Sequence, residues 1–179
     1  MTTAAMADAY VLCSIAGTTY AVRTQDVLHM EMVGEITPVP NASPCLDGVV
    51  LSRGQIVPVL NLRSRFGFDR VPHDLRTRVI VVRSGERSVG LLVDAAREFV
   101  RVPAEAIQPA GSAVADRTSN YLDGVASLGG RLVLVLNVAS VLETADVPAE
   151  AHAAGPHGPT QEPGTRRHVS WQDDEARRA

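Results

Sequence analysis

From Tyr10 onward, short apolar runs alternate with gaps that carry glycine, and no apolar run is longer than five residues. Such runs, bounded by turn residues, predict strands. Residues 10–15 and 19–22 flank Gly17-Thr18, and residues 79–83 and 88–93 flank Ser84-Gly85-Glu86, which predicts two hairpins. Two more are expected where 46–51 meets 55–60 around Arg53-Gly54, and where 121–128 meets 131–136 around Gly129-Gly130. Glycine supplies the positive φ that tight hairpin turns demand. Asn61 and Asn137 fall where a strand gives way to a short non-alternating stretch. Asparagine accepts hydrogen bonds from free helix N–H groups, so each predicts the N-cap of a single helical turn, the first closed by Gly67. Over 24–33 and 95–102 the pattern is ambiguous: Val27, Met30 and Met32 fit a strand or a helical turn equally well.

The hairpin pattern occurs twice. A shift of 76 lays residues 124–138 over 48–62 without a gap, with seven of fifteen positions identical: Gly48/Gly124, Val49/Val125, Gly54/Gly130, Val57/Val133, Val59/Val135, Leu60/Leu136 and Asn61/Asn137. That period is too long for a solenoid unit, so it predicts two copies of one small subdomain. The expected organisation is a leader over 1–8, one half over 9–77, a second over 78–144, and a tail over 145–179. Each half holds about five strands, the size of a small barrel whose closure removes exposed edges. The expected class is all-β, two five-stranded barrels with a few short helical turns. The tail carries four prolines, three glycines and no periodicity, a composition that does not bury enough to fold alone. Trp171 is its only large apolar residue, and the alternatives of a docking motif or an unconstrained tail stay open.

Composition narrows the function classes. A net charge of −3 leaves no electrostatic footprint for nucleic acid. Cys13 and Cys45 lack metal or redox spacing and read as a buried small hydrophobe and a loop thiol. With no basic–apolar leader and no run near 18 apolar residues, the expectation is a reducing cytoplasm and no membrane insertion. A phosphate loop, a zinc-protease helix and a nucleophile elbow are all missing from the sequence. Ser14, Asp26 and His29 compose the one imaginable hydrolytic set, and His152 and His157 fall short of a metal site. No catalysis, metal or cofactor is expected. Arg53 is the most pointed candidate for contact with a partner, because a guanidinium at a hairpin tip offers a flat fork of donors to a carboxylate or carbonyl.

The stretch Gly48-Val49-Val50-Leu51-Ser52-Arg53-Gly54-Gln55-Ile56-Val57-Pro58-Val59-Leu60-Asn61-Leu62, running on to Arg65-Phe66-Gly67, resembles the centre of the CheW family, the coupling proteins of bacterial chemotaxis. Thr37-Pro38-Val39-Pro40, Val89-Gly90-Leu91-Leu92-Val93-Asp94 and Tyr121-Leu122-Asp123-Gly124-Val125 fit in order, and the resemblance covers residues 10–143. It implies two SH3-like barrels packed together and an adaptor without catalysis. It also implies two partners, the regulatory domain of a chemotaxis-type histidine kinase and the cytoplasmic tip of methyl-accepting chemoreceptors, with recruitment to membrane-associated arrays. By the same resemblance Arg53 and Gly48 match functional positions, and Val27 and Phe99 match positions lining the groove between the barrels. Two departures stand out. Leu51-Ser52 replaces the usual Asn-Leu, and His29 sits where relatives can carry an acidic partner for the arginine. A parallel chemosensory-like pathway is the alternative within this class; the Ser14/Asp26/His29 hydrolase is the alternative outside it.

Overall fold

The computed structural model describes residues 7–110 and 119–143. The expected tail and residues 1–6 of the expected leader lie outside the described residues; Asp8, counted with that leader, already belongs to the first strand. Eleven strands and two short α-helices are described in chain order, with single 3-10 turns at Ala104–Ala106 and Ser119–Tyr121. They are β1 Asp8–Ile15, β2 Thr18–Arg23, β3 Val27–Met32, β4 Leu46–Ser52, β5 Gln55–Asn61 and α1 Leu62–Arg65, then β6 Arg78–Ser84, β7 Arg87–Val93, β8 Ala95–Val102, β9 Ile107–Gln108, β10 Leu122–Leu128, β11 Arg131–Leu136 and α2 Val138–Glu143. All four hairpins form where expected. The two ambiguous segments are strands, β3 and β8, each irregular in register where it pairs with an inner strand.

The strands build two sheets, in the orders β8-β1-β2-β11-β10-β9 and β3-β6-β7-β5-β4. The sheets run across the expected boundary at 77/78. The five-stranded sheet is continuous in sequence, 27–93, whereas the six-stranded one joins 8–23 to 95–136. Each copy of the repeat lends its first hairpin to one sheet and its later strands to the other. The exchange is sealed by two parallel pairings, β2 with β11 and β5 with β7. A single residue, Asp94, links β7 to β8, too short a connection for a hairpin, so the chain passes directly from one sheet to the other.

Strand alternation then yields three apolar clusters. Tyr10, Leu12, Ala21, Val102, Ala126, Val133 and Val135 fill the six-stranded subdomain. Val50, Val57, Val59, Val79, Val81 and Leu92 fill the five-stranded one. The residues between them in sequence point the other way: Val11, Cys13 and Ile15 from β1, and Ile80 and Val82 from β6, meet with Leu60, Leu91 and Leu136 in a shared central core. Strands β1, β2, β6 and β7 are therefore buried on both faces and read as unbroken apolar runs. Each fully buried Val or Leu contributes about 1.5–3 kcal/mol of transfer free energy, so the shared core welds the subdomains into one body.

The helices flank that core. Asn61 Oδ1 accepts from the Ser64 amide at 3.2 Å and Asn137 Oδ1 from the Ser140 amide at 2.9 Å, so both predicted N-caps form. Phe66 stacks between Tyr20 and Tyr121, with ring centroids 5.3 and 5.7 Å apart, and the Arg65 guanidinium lies 4.8 Å from the Tyr121 centroid.

Candidate functional site

Arg53 occupies the first tip position of the β4–β5 hairpin with φ 48°, followed by Gly54 at φ 80°. A left-handed backbone at a non-glycine residue costs about 1–2 kcal/mol. The repeat-equivalent tip is Gly129-Gly130, where glycine meets the same demand without that cost. Ala16 is strained likewise, but its amide donates to Asp94 Oδ2 at 2.8 Å. Among the described residues no side-chain hydrogen bond or ion pair holds the Arg53 guanidinium. Around it, Leu51 is 76 % exposed and faces the exposed Ile56 across the hairpin. The tip is thus an arginine set on an apolar pair.

His29 braces this tip from below, and Gly48 lies further back along β4. His29 Nε2 lies 2.9 Å from Ser52 Oγ and 3.7 Å from Glu31, tying edge strand β3 to the residue before Arg53. The departure at Ser52 and the departure at His29 therefore meet each other: they form one contact. Gly48 is no turn residue. It sits at a register shift in β4 with φ 145°, where residues 36–37 cross the strand and Thr37 bridges Val49. A Cβ there would strike the Thr37 carbonyl.

Val27 and Phe99 lie elsewhere. Val27 stands opposite Val82 on β6, and Phe99 opposite Val11 on β1. Both partners belong to the central core, so both residues lie on the seam-facing sides of outer strands, one per subdomain. Val27 is half-buried against the core and Phe99 is 67 % exposed. The structure thus joins Arg53, Gly48 and His29 around one hairpin and sets Val27 and Phe99 along the seam.

Sequence reasoning missed a buttress used twice. Asn61 Nδ2 donates to Asp47 at 2.8 Å, and Asn137 Nδ2 donates to Asp123 at 2.7 Å. Each asparagine caps a helix with its oxygen and pins a strand with its nitrogen. Asp47 is held further by Arg70 at 2.8 Å, and Asp123 by Arg23 at 3.3 Å. The signal was present: extending the repeat two residues upstream pairs Leu46-Asp47 with Leu122-Asp123. Asp94, the last residue of the Val89–Asp94 motif, is the hub of the crossing. Its two oxygens accept from Arg63 Nε and Nη2 at 2.7 and 2.8 Å, which raises the Arg63 pKa above its ordinary value, and its amide donates to Ser14 O. A bidentate pair of this kind fixes orientation as well as energy.

The hydrolytic set is not assembled. His29 is engaged by Ser52 and Glu31. The Asp26 carboxyl answers to Arg23 and Asp123, its pKa raised by burial against the opposing Arg23 charge. Ser14 lies in β1 opposite Thr19 and Ala95. Cys13 is fully buried, and desolvation with the nearby Asp94 charge pushes its thiol up to about 12. A protonated, buried thiol is inert. A thiol-specific reagent should therefore label Cys45 alone in the native protein and both cysteines after denaturation, counted by mass spectrometry; native labelling of Cys13 would contradict the packing.

Two fused β subdomains with exposed outer strands and a strained arginine tip define a scaffold that presents surfaces. The chain belongs to the CheW-like domain family, whose model matches residues 9–146. It is 27 % identical over 148 residues to the chemotaxis protein CheW of Klebsiella aerogenes, covering 83 % of this chain and 89 % of that one. The Thermotoga maritima protein of the same name is 31 % identical over 121 residues, 66 % and 78 % of the two chains. Protein FrzA of Myxococcus xanthus is 29 % identical over 126 residues, 69 % and 78 %. Among solved structures, the scaffolding protein TtCheW from Thermoanaerobacter tengcongensis superposes with a TM-score of 0.71 at 25 % identity, covering 77 % of this chain and 89 % of that one.

Proposed function

We propose that this protein is a non-catalytic adaptor that couples chemoreceptors to a histidine kinase of the chemotaxis type. The family match over residues 9–146 carries this reading, on a body whose two subdomains share one core. An adaptor works by holding two partners in one frame: the second contact becomes effectively intramolecular, so modest affinities give a firm assembly. A frame that flexed between its subdomains would lose that gain, and the central core prevents it. Receptor state then reaches the kinase as a coupling free energy of about 1–3 kcal/mol.

In this reading the receptor's cytoplasmic tip lies along the seam marked by Val27 and Phe99, the kinase regulatory domain packs at a subdomain end near Gly48, and Arg53 fixes register. The strained backbone at Arg53 supports its role. Glycine at the equivalent tip avoids the strain, and a residue kept in a costly conformation points to a task outside folding. In this reading the protein works in the cytoplasm, recruited to receptor arrays.

Arg53→Glu tests the proposal. In an array reconstituted from receptor fragments, kinase and this protein, receptor-dependent kinase activity should fall at least about tenfold, the size expected when a charge-assisted contact of about 1.5–3 kcal/mol is replaced by repulsion. The thermal midpoint should hold, because the side chain is free. Unchanged activation would remove Arg53 from the interface; a collapsed midpoint would make it structural. Relatives named for chemotaxis and FrzA match at similar identity, so co-purification with candidate kinases is the measurement that selects the pathway.

A further inference from the structure

The two subdomains are built alike, but their ends are closed differently. Register makes His29 and Glu98 equivalent: His29 stands opposite Val81, Glu98 opposite Leu12, and both partners point into their own subdomain core. The shift of 76 makes Ser52 and Leu128 equivalent. In the five-stranded subdomain the His29–Ser52 contact, at 2.9 Å, closes this end. In the six-stranded subdomain Glu98 and Leu128 make no such bond, and a cavity of about 100 Å³ opens to solvent between β1, β8 and the β10–β11 hairpin. Leu12, Leu128 and Val133 line its apolar side, with Arg97, Arg131 and Glu98 beside them. A closed cavity of about 150 Å³ holds benzene, so an open one of this size accepts much of an aromatic ring. Among the described residues neither Arg97 nor Arg131 has an ion-pair partner.

We propose that this open end is the docking site of the chain's own C-terminal segment, with Trp171 seated in the cavity and Asp173, Asp174 and Glu175 against Arg97 and Arg131. Trp171 is the only tryptophan in the chain, and three carboxylates follow it within four residues. Arg166 and Arg167 precede it, and Glu98 supplies the carboxylate on the cavity wall. The reach is sufficient: Glu143 ends α2, the helix that follows β11 of the same sheet, and Trp171 lies 28 residues on. A random coil of 28 residues spans about 30 Å, roughly the diameter of a small domain. At the millimolar effective concentration such a tether provides, an intrinsic dissociation constant of about 0.1 mM keeps the ring docked about nine-tenths of the time. The inference does not depend on the adaptor reading.

Trp171 is its own reporter. In the full chain at low protein concentration its emission should be blue-shifted relative to a synthetic peptide of residues 165–179, and its acrylamide quenching several-fold weaker. Arg97→Glu with Arg131→Glu should return both signals toward the peptide values while the circular dichroism melt stays unchanged, since both side chains are exposed. Adding Asp173→Arg and Asp174→Arg to that variant should restore protection, and Leu128→Glu should abolish it. Peptide-like emission in the native chain overturns the proposal. So does protection indifferent to Arg97, Arg131 and Leu128, which places the ring elsewhere, or protection that grows with protein concentration, which assigns it to a second copy.

Discussion

Gly48→Ala should destabilise the protein by about 3–5 kcal/mol, a large share of the roughly 5–15 kcal/mol that holds a typical domain. Two costs combine. At φ 145° an L side chain is strained by about 1–3 kcal/mol. The added methyl also meets backbone: the Thr37 carbonyl oxygen, the Thr37 carbonyl carbon at 2.8 Å and Ile36 Cγ2 at 2.9 Å. A crossing strand bonded to Val49 in both directions at 2.9 Å cannot step aside without losing those bonds. The repeat supplies the control. Gly124 is approached as closely, by Gln108 O at 2.5 Å and Ile107 Cγ2 at 2.7 Å, but its φ is not in the left-handed region. Gly124→Ala should therefore cost about 1–3 kcal/mol, overpacking alone. Urea denaturation of both variants decides the matter, and equal losses would show that backbone strain at Gly48 contributes nothing.

Leu60→Ala should cost about 3–5 kcal/mol and should do so in one unfolding transition. Leu60 is fully buried in the shared core, where large-to-small cuts lose transfer energy and leave a cavity. Its repeat partner Leu136 lies in the same cluster from the other sheet, 1 % exposed, so Leu136→Ala should shift the same transition by a similar amount. Because the two share one core, their combined loss should depart from the sum of the single losses. Two separate transitions in either variant, followed by circular dichroism and calorimetry, would show that the subdomains fold independently and that the rigid frame is wrong.

Much of the site was readable in the chain. The hairpin tips, the asparagine caps and Arg53 as an exposed donor follow from local rules: turn chemistry, capping and alternation act within a few residues. The strand assignment of β3 and β8 was not readable. Both are edge strands, and an edge strand takes its conformation from the neighbour it pairs with, β6 and β1, more than from its own half-exposed side chains. The His29–Ser52 contact was invisible for a related reason. Its members are 23 residues apart, and only the closing of the subdomain brings them to 2.9 Å.

The sequence alone determined that this is a duplicated β protein, with four hairpins and two capped turns, since each follows from residues close in the chain. Tertiary structure alone decided which copy each strand would join. A duplicated chain offers every strand two partners with the same side-chain pattern, one in its own copy and one in the other, and local periodicity is satisfied by either. The one-residue link at Asp94, the parallel pairings and the burial of a common core break that tie, and they act only once the whole chain has come together.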